Sequence, residues 1–276
     1  MTTQAMPNVG VIGGTGFYSL LENTDEISVD TPFGPPSGPV TVGEVRGRAV
    51  AFLARHGANH RYPPHKINYR ANLWAIRAVG VRQILAPCAV GSLQPRLGPG
   101  TLVVPDQVVD RTSGRHRTYF DSGAAHVPFA DPYCPVGRET VLKTASQYDS
   151  LVIDGGTTVV IDGPRFSSRA ESQWYAREGW SLVNMTGQPE ATLARELALC
   201  YTSIALVTDL DAGLAAGDEV QQQDVFQVFA ENIDRLRALV FRVVDALPPK
   251  PRCRCRSALH GIDVPFDLPD AAARHV

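Results

Sequence analysis

The chain has 276 residues, of which 44% are hydrophobic and 20% charged, and its formal net charge is -2. This length suits one large α/β domain, and the composition excludes a disordered chain. The near-neutral balance argues against a nucleic-acid or membrane surface, and no apolar run is long enough to span a bilayer. Five scattered cysteines do not suggest a disulfide framework, and residues 1–8 lack the features of a signal peptide, so we expect a cytoplasmic protein.

The first predicted strand, within residues 9–16, runs into a glycine-rich turn. Glycines let the backbone approach an anion, successive N–H groups can surround it, and Thr15 adds a hydroxyl donor. A dinucleotide-binding fingerprint is the alternative. Its third glycine would fall at Ser19, however, and four prolines between residues 32 and 39 interrupt the helix that it requires. The pattern therefore favours an anion-binding turn or a plain structural turn.

Arginine and histidine stand side by side after the next predicted element. The loose alternation over residues 40–52 indicates a hairpin, and Arg55 and His56 follow it closely. Because a guanidinium offers paired N–H donors, this dipeptide could bind phosphate, with Arg55 as the bidentate donor. A surface loop is the equally simple alternative.

Helical spacing then predicts a helix over 65–79, and a continuous apolar run predicts a buried strand over 81–89. That strand ends in small residues at Cys88 and Ala89. Cys88 is more typical of a packed thiol than of a nucleophile, because no general base is identifiable beside it in sequence. The other segments of this part are a predicted strand over 101–109, an exposed arginine-rich loop over 111–119 and an irregular proline-rich loop over 126–135.

In the C-terminal half, predicted strands again run into helices. A strand over 157–161 leads to a loop carrying Phe166, whose spacing also suits a core position, and Ser168 and Glu171 form a capping box for a helix that ends at Gly179. A second transition over 182–187 opens a helix that runs to about Leu199. The N-terminus of that helix offers free N–H groups and the positive end of a dipole.

Two carboxylates then stand two residues apart. The apolar strand over 200–207 is followed by Asp209, Asp211 and a glycine turn. Alternate side chains at a strand end project from the same edge, and in an open α/β sheet that edge forms the ligand crevice. The pair could accept bonds from amine and ring-nitrogen donors, or hold one proton between them. A solvated turn is the alternative.

The last predicted helix, over about 223–247, has an apolar stripe typical of a core face. Beyond it, Cys253, Cys255 and His260 suggest zinc, but they fall short of a four-ligand set, so we predict no metal. The segment 248–276 is apolar for a terminus, and we expect it to dock on a neighbouring subunit. No internal repeat or linker divides the chain, which predicts one domain over 1–276.

Taken together, these strand-end turns resemble those of the trimeric purine nucleoside phosphorylase and methylthioadenosine phosphorylase family. The resemblance extends from Val9 to about Ala246, and six motifs in the right order make it specific. The motifs are Gly13–Gly14–Thr15–Gly16, Ala54–Arg55–His56–Gly57, Gly91–Ser92–Leu93, the run from Gly163 to Glu171, Asn184–Met185–Thr186 with Pro189–Glu190, and Thr208–Asp209–Leu210–Asp211.

The resemblance implies a single α/β domain with a twisted mixed β-sheet flanked by helices, assembled as a homotrimer. It implies phosphorolysis of a purine nucleoside, with phosphate as co-substrate and neither an organic cofactor nor a metal. By match of motif, phosphate would meet Thr15, Arg55, His56, Cys88, Ala89 and Thr186. Met185 would lie against the ribose, Phe166 would cover the base, and Ser167, Asp209 and Asp211 would face its edge. His126 would reach the 5′ pocket of a neighbouring subunit.

Two departures bear on which purine is expected. In the 6-oxopurine branch of the family an asparagine stands at the position of Asp209 and a glutamate at that of Ser167. Ionised carboxylates only accept hydrogen bonds, so two aspartates favour the 6-amino group of adenine.

The branch that takes a methylthio group has aliphatic residues at the positions of Gln222 and Phe226. Because Gln222 is polar, adenosine is a second expected substrate. Cys88 replaces a more usual hydroxyl or amide residue, which weakens a side-chain phosphate contact there.

The expected reaction is phosphorolysis of 5′-methylthioadenosine to adenine and 5-methylthioribose 1-phosphate, with the N7 proton assigned to the aspartate pair and Asp209 favoured. The nearest alternative is a broader or 6-oxopurine phosphorylase. Two further alternatives are a nucleotide-binding oxidoreductase and a non-catalytic binding protein with the phosphorylase fold.

Overall fold

The computed structural model describes residues 6–14, 22–123, 125–148, 150–212 and 219–269. Within these ranges the chain folds into a mixed sheet of eleven strands with five α-helices. The strands are β1 (Val9–Gly13), β2 (Glu22–Ile27), β3 (Val40–Val45), β4 (Arg48–Ala54), β5 (Gln83–Ser92), β6 (Leu102–Val104), β7 (Gln107–Asp110), β8 (Val152–Asp154), β9 (Thr157–Val160), β10 (Leu182–Asn184) and β11 (Cys200–Asp209). The helices are α1 (Tyr69–Ala78), α2 (Pro135–Gln147), α3 (Arg169–Arg177), α4 (Gly187–Glu196) and α5 (Gln222–Ala246).

The centre of the sheet is β5, where the strand order branches. One path runs β2-β3-β4-β1-β5-β10-β9-β7, and β11 pairs with both β5 and β6, which in turn pairs with β8. β1 is parallel to β4 and β5, and β11 is parallel to β5. The carboxyl ends of these four strands therefore meet at one edge of the sheet, which is where an open α/β sheet binds its ligand.

Helices cover both faces of the sheet because neighbouring strand residues point to opposite sides. Ile12 packs in one buried cluster with residues of α1 and α4, whereas Val11, one residue earlier, packs in another with residues of α5. Two apolar layers thus enclose the central strands, as the sequence predicts for a single α/β domain. Among the described residues, no helix combines the length and the apolar character that a membrane crossing requires.

Several predicted elements are confirmed with small shifts at their ends. The hairpin over 40–52 is formed by β3 and β4, joined through Arg46 and Gly47, both at positive φ. The capping box is present, with the Ser168 hydroxyl and the Glu171 carboxylate each accepting a backbone N–H bond of the other residue. After the glycine turn the chain forms β2, antiparallel to β3, which is incompatible with the βαβ unit of a dinucleotide-binding fold.

Other predictions were wrong. The strand over 101–109 is two strands, interrupted at Pro105 and Asp106. Helix α2 was missed, because few of its residues are buried and its sequence shows only a weak apolar stripe. The loop over 111–119 is not exposed throughout, since Tyr119 and the side chain of Arg115 are each 3% exposed.

The apolar tail packs on its own chain. Phe266 lies with its ring centroid 5.9 Å from those of both Trp74 and Tyr119, and 5.5 Å from that of Phe120. Leu268 also packs against this core. These contacts account for the apolar character of the segment, and docking of 248–276 at a subunit interface stays a prediction.

Candidate active site

A cavity of about 520 Å³ opens at the carboxyl ends of β1, β4, β5, β10 and β11. Its wall contains most of the predicted site residues. Those predicted to meet phosphate are Arg55, His56, Cys88, Ala89 and Thr186. Those predicted to meet the nucleoside are Phe166, Met185, Asp209, Asp211, Gln222 and Phe226.

Of the other three predicted residues, two do not line that wall and one lies outside the described residues. Thr15 lies outside the described residues, which stop at Gly14 on this side of the turn. Ser167 is behind the wall, where its hydroxyl donates to Asp211 over 3.2 Å. His126 is exposed and does not line the cavity of its own chain, and its contact with a neighbouring subunit stays a prediction.

Arg55 is buried and does not present its paired donors to the cavity. Its Nε and Nη2 donate to the two carboxylate oxygens of Glu190 over 2.8 and 2.9 Å. Nη2 also donates to the carbonyl of Ile12, and Nη1 donates to that of Pro87. Among the described residues, this leaves at most one Nη1–H for an anion. The expectation of a bidentate phosphate clamp was therefore wrong in its geometry.

The Glu190 carboxylate keeps Arg55 protonated, although the two charges of this buried pair cancel. Burial alone lowers the pKa of Arg55, but the adjacent Glu190 carboxylate offsets burial and raises it overall. The Tyr201 hydroxyl donates a further bond to Glu190 over 2.7 Å, which fixes the carboxylate in place. A guanidinium held this way can offer its remaining Nη1–H, already in position, to an anion.

His56 is neutral in this environment. Burial, helped by the nearby His60 and Arg55 groups, lowers its pKa to about 3. The Nδ1 atom lies 2.9 Å from the carbonyl of Tyr62, so it must carry the proton, and Nε2 is left as an acceptor. The His60 ring stacks on the same imidazole at 3.9 Å between centroids. His56 can therefore accept a hydrogen bond from a ligand hydroxyl through Nε2.

The turn after β10 is organised by Asn184. Its Oδ1 accepts from the N–H groups of Thr186 and Gly187 over 2.8 and 2.6 Å, and its Nδ2 donates to the carbonyl of Ala89. These two N–H groups at the start of α4 are thus not free, contrary to the sequence expectation. Their bonds to Asn184 instead fix the turn in which Thr186 lines the cavity.

Cys88 remains a thiol. Burial raises its pKa, and its Sγ lies 3.7 Å from the Ser203 hydroxyl. A protonated thiol is a weak donor and not a nucleophile. This agrees with the sequence interpretation of a packed cysteine rather than a catalytic one.

Arg115 holds the turn that carries Met185. Its Nη1 donates to the carbonyls of Met185 and Gln188 over 2.9 and 2.6 Å, and Nη2 donates to that of Asp162 over 2.8 Å. With the carbonyl of Ile161, which accepts from Nη2 over 3.4 Å, four carbonyls are joined to one buried guanidinium. Sequence reasoning missed this role, because an arginine within a polar segment resembles an exposed residue.

The two aspartates have different surroundings. Asp209 accepts bonds from the Thr208 hydroxyl and from the N–H of Asp211, both over 2.8 Å, yet burial raises its pKa to about 6. Burial also raises the pKa of Asp211, whose oxygens accept from the hydroxyls of Ser167 and Ser172. Asp211 sits at positive φ, a conformation that aspartate tolerates in turns. Asp209 is therefore the better proton carrier, and Asp211 is an acceptor fixed by two hydroxyls.

Gly91 allows the aspartate turn to approach β5. It is paired in register with Asp209. A Cβ at this position would lie 2.8 Å from Asp209 Oδ1 and 3.2 Å from the Cβ of Asp211. Only glycine avoids this overlap, so the carboxylates depend on a residue of the neighbouring strand.

The arrangement separates two chemical environments along β5. Cys88 belongs to the anion end and Gly91 to the carboxylate end, and three residues of extended strand span roughly 10 Å. Phe166 is half-buried in the wall, while the first turns of α5 contribute Gln222 and the 56%-exposed Phe226. The cavity can thus hold an anion at one end and a flat, nitrogen-rich ring at the other.

Comparison with known proteins agrees with this geometry. Residues 8–245 match the model of the phosphorylase superfamily. A purine nucleoside phosphorylase of Streptomyces coelicolor is 56% identical over 98% of this chain and 100% of that protein. An S-methyl-5'-thioadenosine phosphorylase of Mycolicibacterium smegmatis is also 56% identical, over 95% of this chain and 99% of its own.

A solved structure shows the same fold. The methylthioadenosine phosphorylase from an antarctic soil metagenomic library superposes with a TM-score of 0.88, at 37% identity, over 93% of this chain and 92% of that one. The chain therefore belongs to the phosphorylase superfamily and, within it, to the purine nucleoside phosphorylase and methylthioadenosine phosphorylase family of pentosyltransferases.

Proposed function

We propose that this enzyme cleaves 5′-methylthioadenosine with inorganic phosphate, giving adenine and 5-methylthioribose 1-phosphate. The observation that carries the proposal is the pair Asp209 and Asp211 in the cavity wall, about 10 Å along β5 from the anion end. Carboxylate oxygens accept bonds from the 6-amino group of adenine, but meet the carbonyl of a 6-oxopurine with repulsion.

The reaction breaks the N9–C1′ bond and forms a bond from a phosphate oxygen to C1′. Positive charge develops on the ribose and negative charge on the purine as the bond lengthens. The phosphate anion, placed near Arg55, His56 and Thr186, stabilises the ribose cation before it attacks. A proton on N7 neutralises the departing base, and Asp209, with a pKa of about 6, is suited to supply it. No organic cofactor or catalytic metal enters this scheme.

The 5′ substituent would meet α5. Val225 and Phe229 of this helix offer apolar surface to the cavity, which suits a methylthio group, whereas Gln222 could accept a 5′-hydroxyl. Adenosine is accordingly proposed as a second, weaker substrate. His126 of a neighbouring subunit is proposed to complete this pocket, in a homotrimer located in the cytoplasm.

A substrate panel tests the proposal. Phosphate-dependent release of base is measured with 5′-methylthioadenosine, adenosine and inosine under identical conditions. We expect kcat/KM to fall in that order, and Gln222→Leu to lower the value for adenosine but not for 5′-methylthioadenosine. Inosine as the best substrate would contradict the argument from the aspartates.

A broader purine phosphorylase is the second candidate. It is favoured by one observation: the relative named purine nucleoside phosphorylase is as similar to this chain as the one named for methylthioadenosine. Comparable kcat/KM values for adenosine and inosine would support this alternative over the first.

A further inference from the structure

Four cysteines from three distant segments meet on the side of the sheet away from the cavity. Cys134 precedes α2, Cys200 begins β11, and Cys253 and Cys255 follow α5. The four Sγ atoms all lie within 4.8 Å of one another. Only two of the four are visible as a pair in the sequence, because the others are more than fifty residues away.

The spacing of the sulfur atoms matches a tetrahedral metal site. Zn–S bonds of about 2.3 Å place the sulfurs of a four-cysteine site roughly 3.8 Å apart. The Sγ atoms of Cys200 and Cys253 are 3.4 Å apart, and all four residues are free thiols. Cys134, Cys200 and Cys255 are at most 2% exposed, so a bound ion would be shielded from solvent.

The surroundings favour thiolates. The N–H of Gly137, in the first turn of α2, points at Cys134 Sγ over 3.5 Å, and the positive end of that helix favours a negative sulfur. Arg252, Arg254 and Arg256 alternate with the two cysteines of the C-terminal segment. A zinc ion with four thiolates carries a net charge of −2, and the three nearby guanidinium groups supply charge of the opposite sign.

We propose that Cys134, Cys200, Cys253 and Cys255 bind one Zn²⁺ ion. Binding releases four thiol protons to solvent and involves no change of oxidation state. Four protein ligands fill a tetrahedral zinc, so the ion has no open position and serves the structure rather than the chemistry. Cys200 and Asp209 occupy opposite ends of β11, roughly 30 Å apart, which keeps the ion away from the cavity.

The proposed ion stabilises the position of residues 250–257, the segment that follows α5. Without it, residues 250–257 are joined to the starts of α2 and β11 mainly by packing among the cysteines themselves. Metal ligation would connect all three segments and lead the chain toward Phe266, which packs on Trp74. The predicted effect of losing zinc is therefore a loss of stability.

Metal content tests the proposal directly. The full-length protein is purified under reducing conditions without chelator, and zinc is measured by mass spectrometry. We expect about one zinc ion per chain, and X-ray absorption at the zinc edge should show four sulfur ligands. A double variant, Cys253→Ser with Cys255→Ser, should lose the metal. His260→Gln and Cys88→Ser are matched controls and should keep it, because neither ligand atom belongs to the cluster.

Thermal unfolding gives a second readout. Treatment with a strong chelator should lower the Tm by several degrees, and added Zn²⁺ should restore it. Zinc below about 0.2 per chain would overturn the proposal. If protein purified without reductant then also shows one reactive thiol after denaturation, the four cysteines form two disulfides instead. Iron in place of zinc, or zinc retained by the double variant, would also overturn the proposal. The wild-type measurements decide the question even if the variants fail to fold.

Discussion

The buried carboxyl of Asp209 makes the free energy of unfolding depend on pH. Its pKa of about 6 lies above the ordinary value of about 4 because burial disfavours the charged form. The folded state therefore favours the protonated side chain. The stability that this proton confers is fully present below about pH 4 and is lost as the pH rises through 6.

Replacing Asp209 by asparagine removes that dependence. Two pKa units correspond to roughly 2–3 kcal/mol. When the pH is raised from 4.5 to 8, the unfolding free energy of wild type should therefore fall by about 2 kcal/mol more than that of Asp209→Asn. Denaturant unfolding at the two pH values measures the difference. An equal difference in unfolding free energy at both pH values would show that burial does not disfavour the ionised carboxylate. Turnover of adenine nucleosides should fall sharply in the same variant.

Glu190 holds the guanidinium of Arg55 in place and does not itself line the cavity. In Glu190→Gln, Arg55 keeps its charge but loses its carboxylate partner inside the protein. Breaking a buried pair by removing one member costs about 3–5 kcal/mol. We expect a lower unfolding free energy and a KM for phosphate raised more than tenfold.

Glu196 supplies the control for that measurement. It is also on α4 and 7% exposed, but it accepts from Thr118 and Tyr119 and lies away from the cavity. Glu196→Gln should lower stability while leaving the KM for phosphate near its wild-type value. Equal phosphate KM values in the two variants would contradict a specific role for Glu190.

At the scale of elements, the pairing of β5 with β11 positions the carboxylates. Alanine at Gly91 would force Asp209 Oδ1 from its bond with the N–H of Asp211. We expect Gly91→Ala to lower kcat/KM on the order of ten- to a hundredfold, since displacements of about 1 Å have effects of this size. Gly98→Ala is the matched control, because a Cβ there meets nothing within 4 Å. Equal kcat/KM values for the two variants would show that the absence of a side chain at Gly91 is not required for activity.

The start of α5 shows how one helix serves two purposes. Its C-terminal part, with Leu239 and Val243, is buried in the core, whereas Phe226 near its start is 56% exposed at the cavity. An apolar stripe in sequence does not distinguish these environments, because both require the same residue types.

For the whole molecule, the proposed homotrimer has a direct test. Light scattering should report three times the 29.8 kDa chain mass. His126→Ala should raise the KM for nucleoside while leaving the KM for phosphate unchanged, since His126 does not line the cavity of its own chain and is proposed to serve only the 5′ pocket of a neighbour. His116→Ala, another exposed histidine, is the control. A monomeric mass, or no effect of His126→Ala, would contradict a shared pocket.

The sequence predicts features that depend on a few neighbouring residues better than contacts between residues far apart in the chain. The turns at Arg55, Met185 and Asp209, the β3–β4 hairpin and the Ser168 capping box follow from short patterns, because turn and cap preferences act over a few residues. Helix α2 was missed, since its apolar stripe is weak. The pairing of Arg55 with Glu190, across 135 positions, was missed as well.

The sequence by itself determined the α/β class and the strand-end positions of the polar residues, including the aspartate pair at the end of β11. Only the tertiary structure decided that Arg55 faces Glu190, that Arg115 is buried under the Met185 turn, and that four cysteines converge. The physical reason is that side-chain identity sets which bonds a residue can make. The partner is set by the packing of strands and helices that lie far apart in the chain.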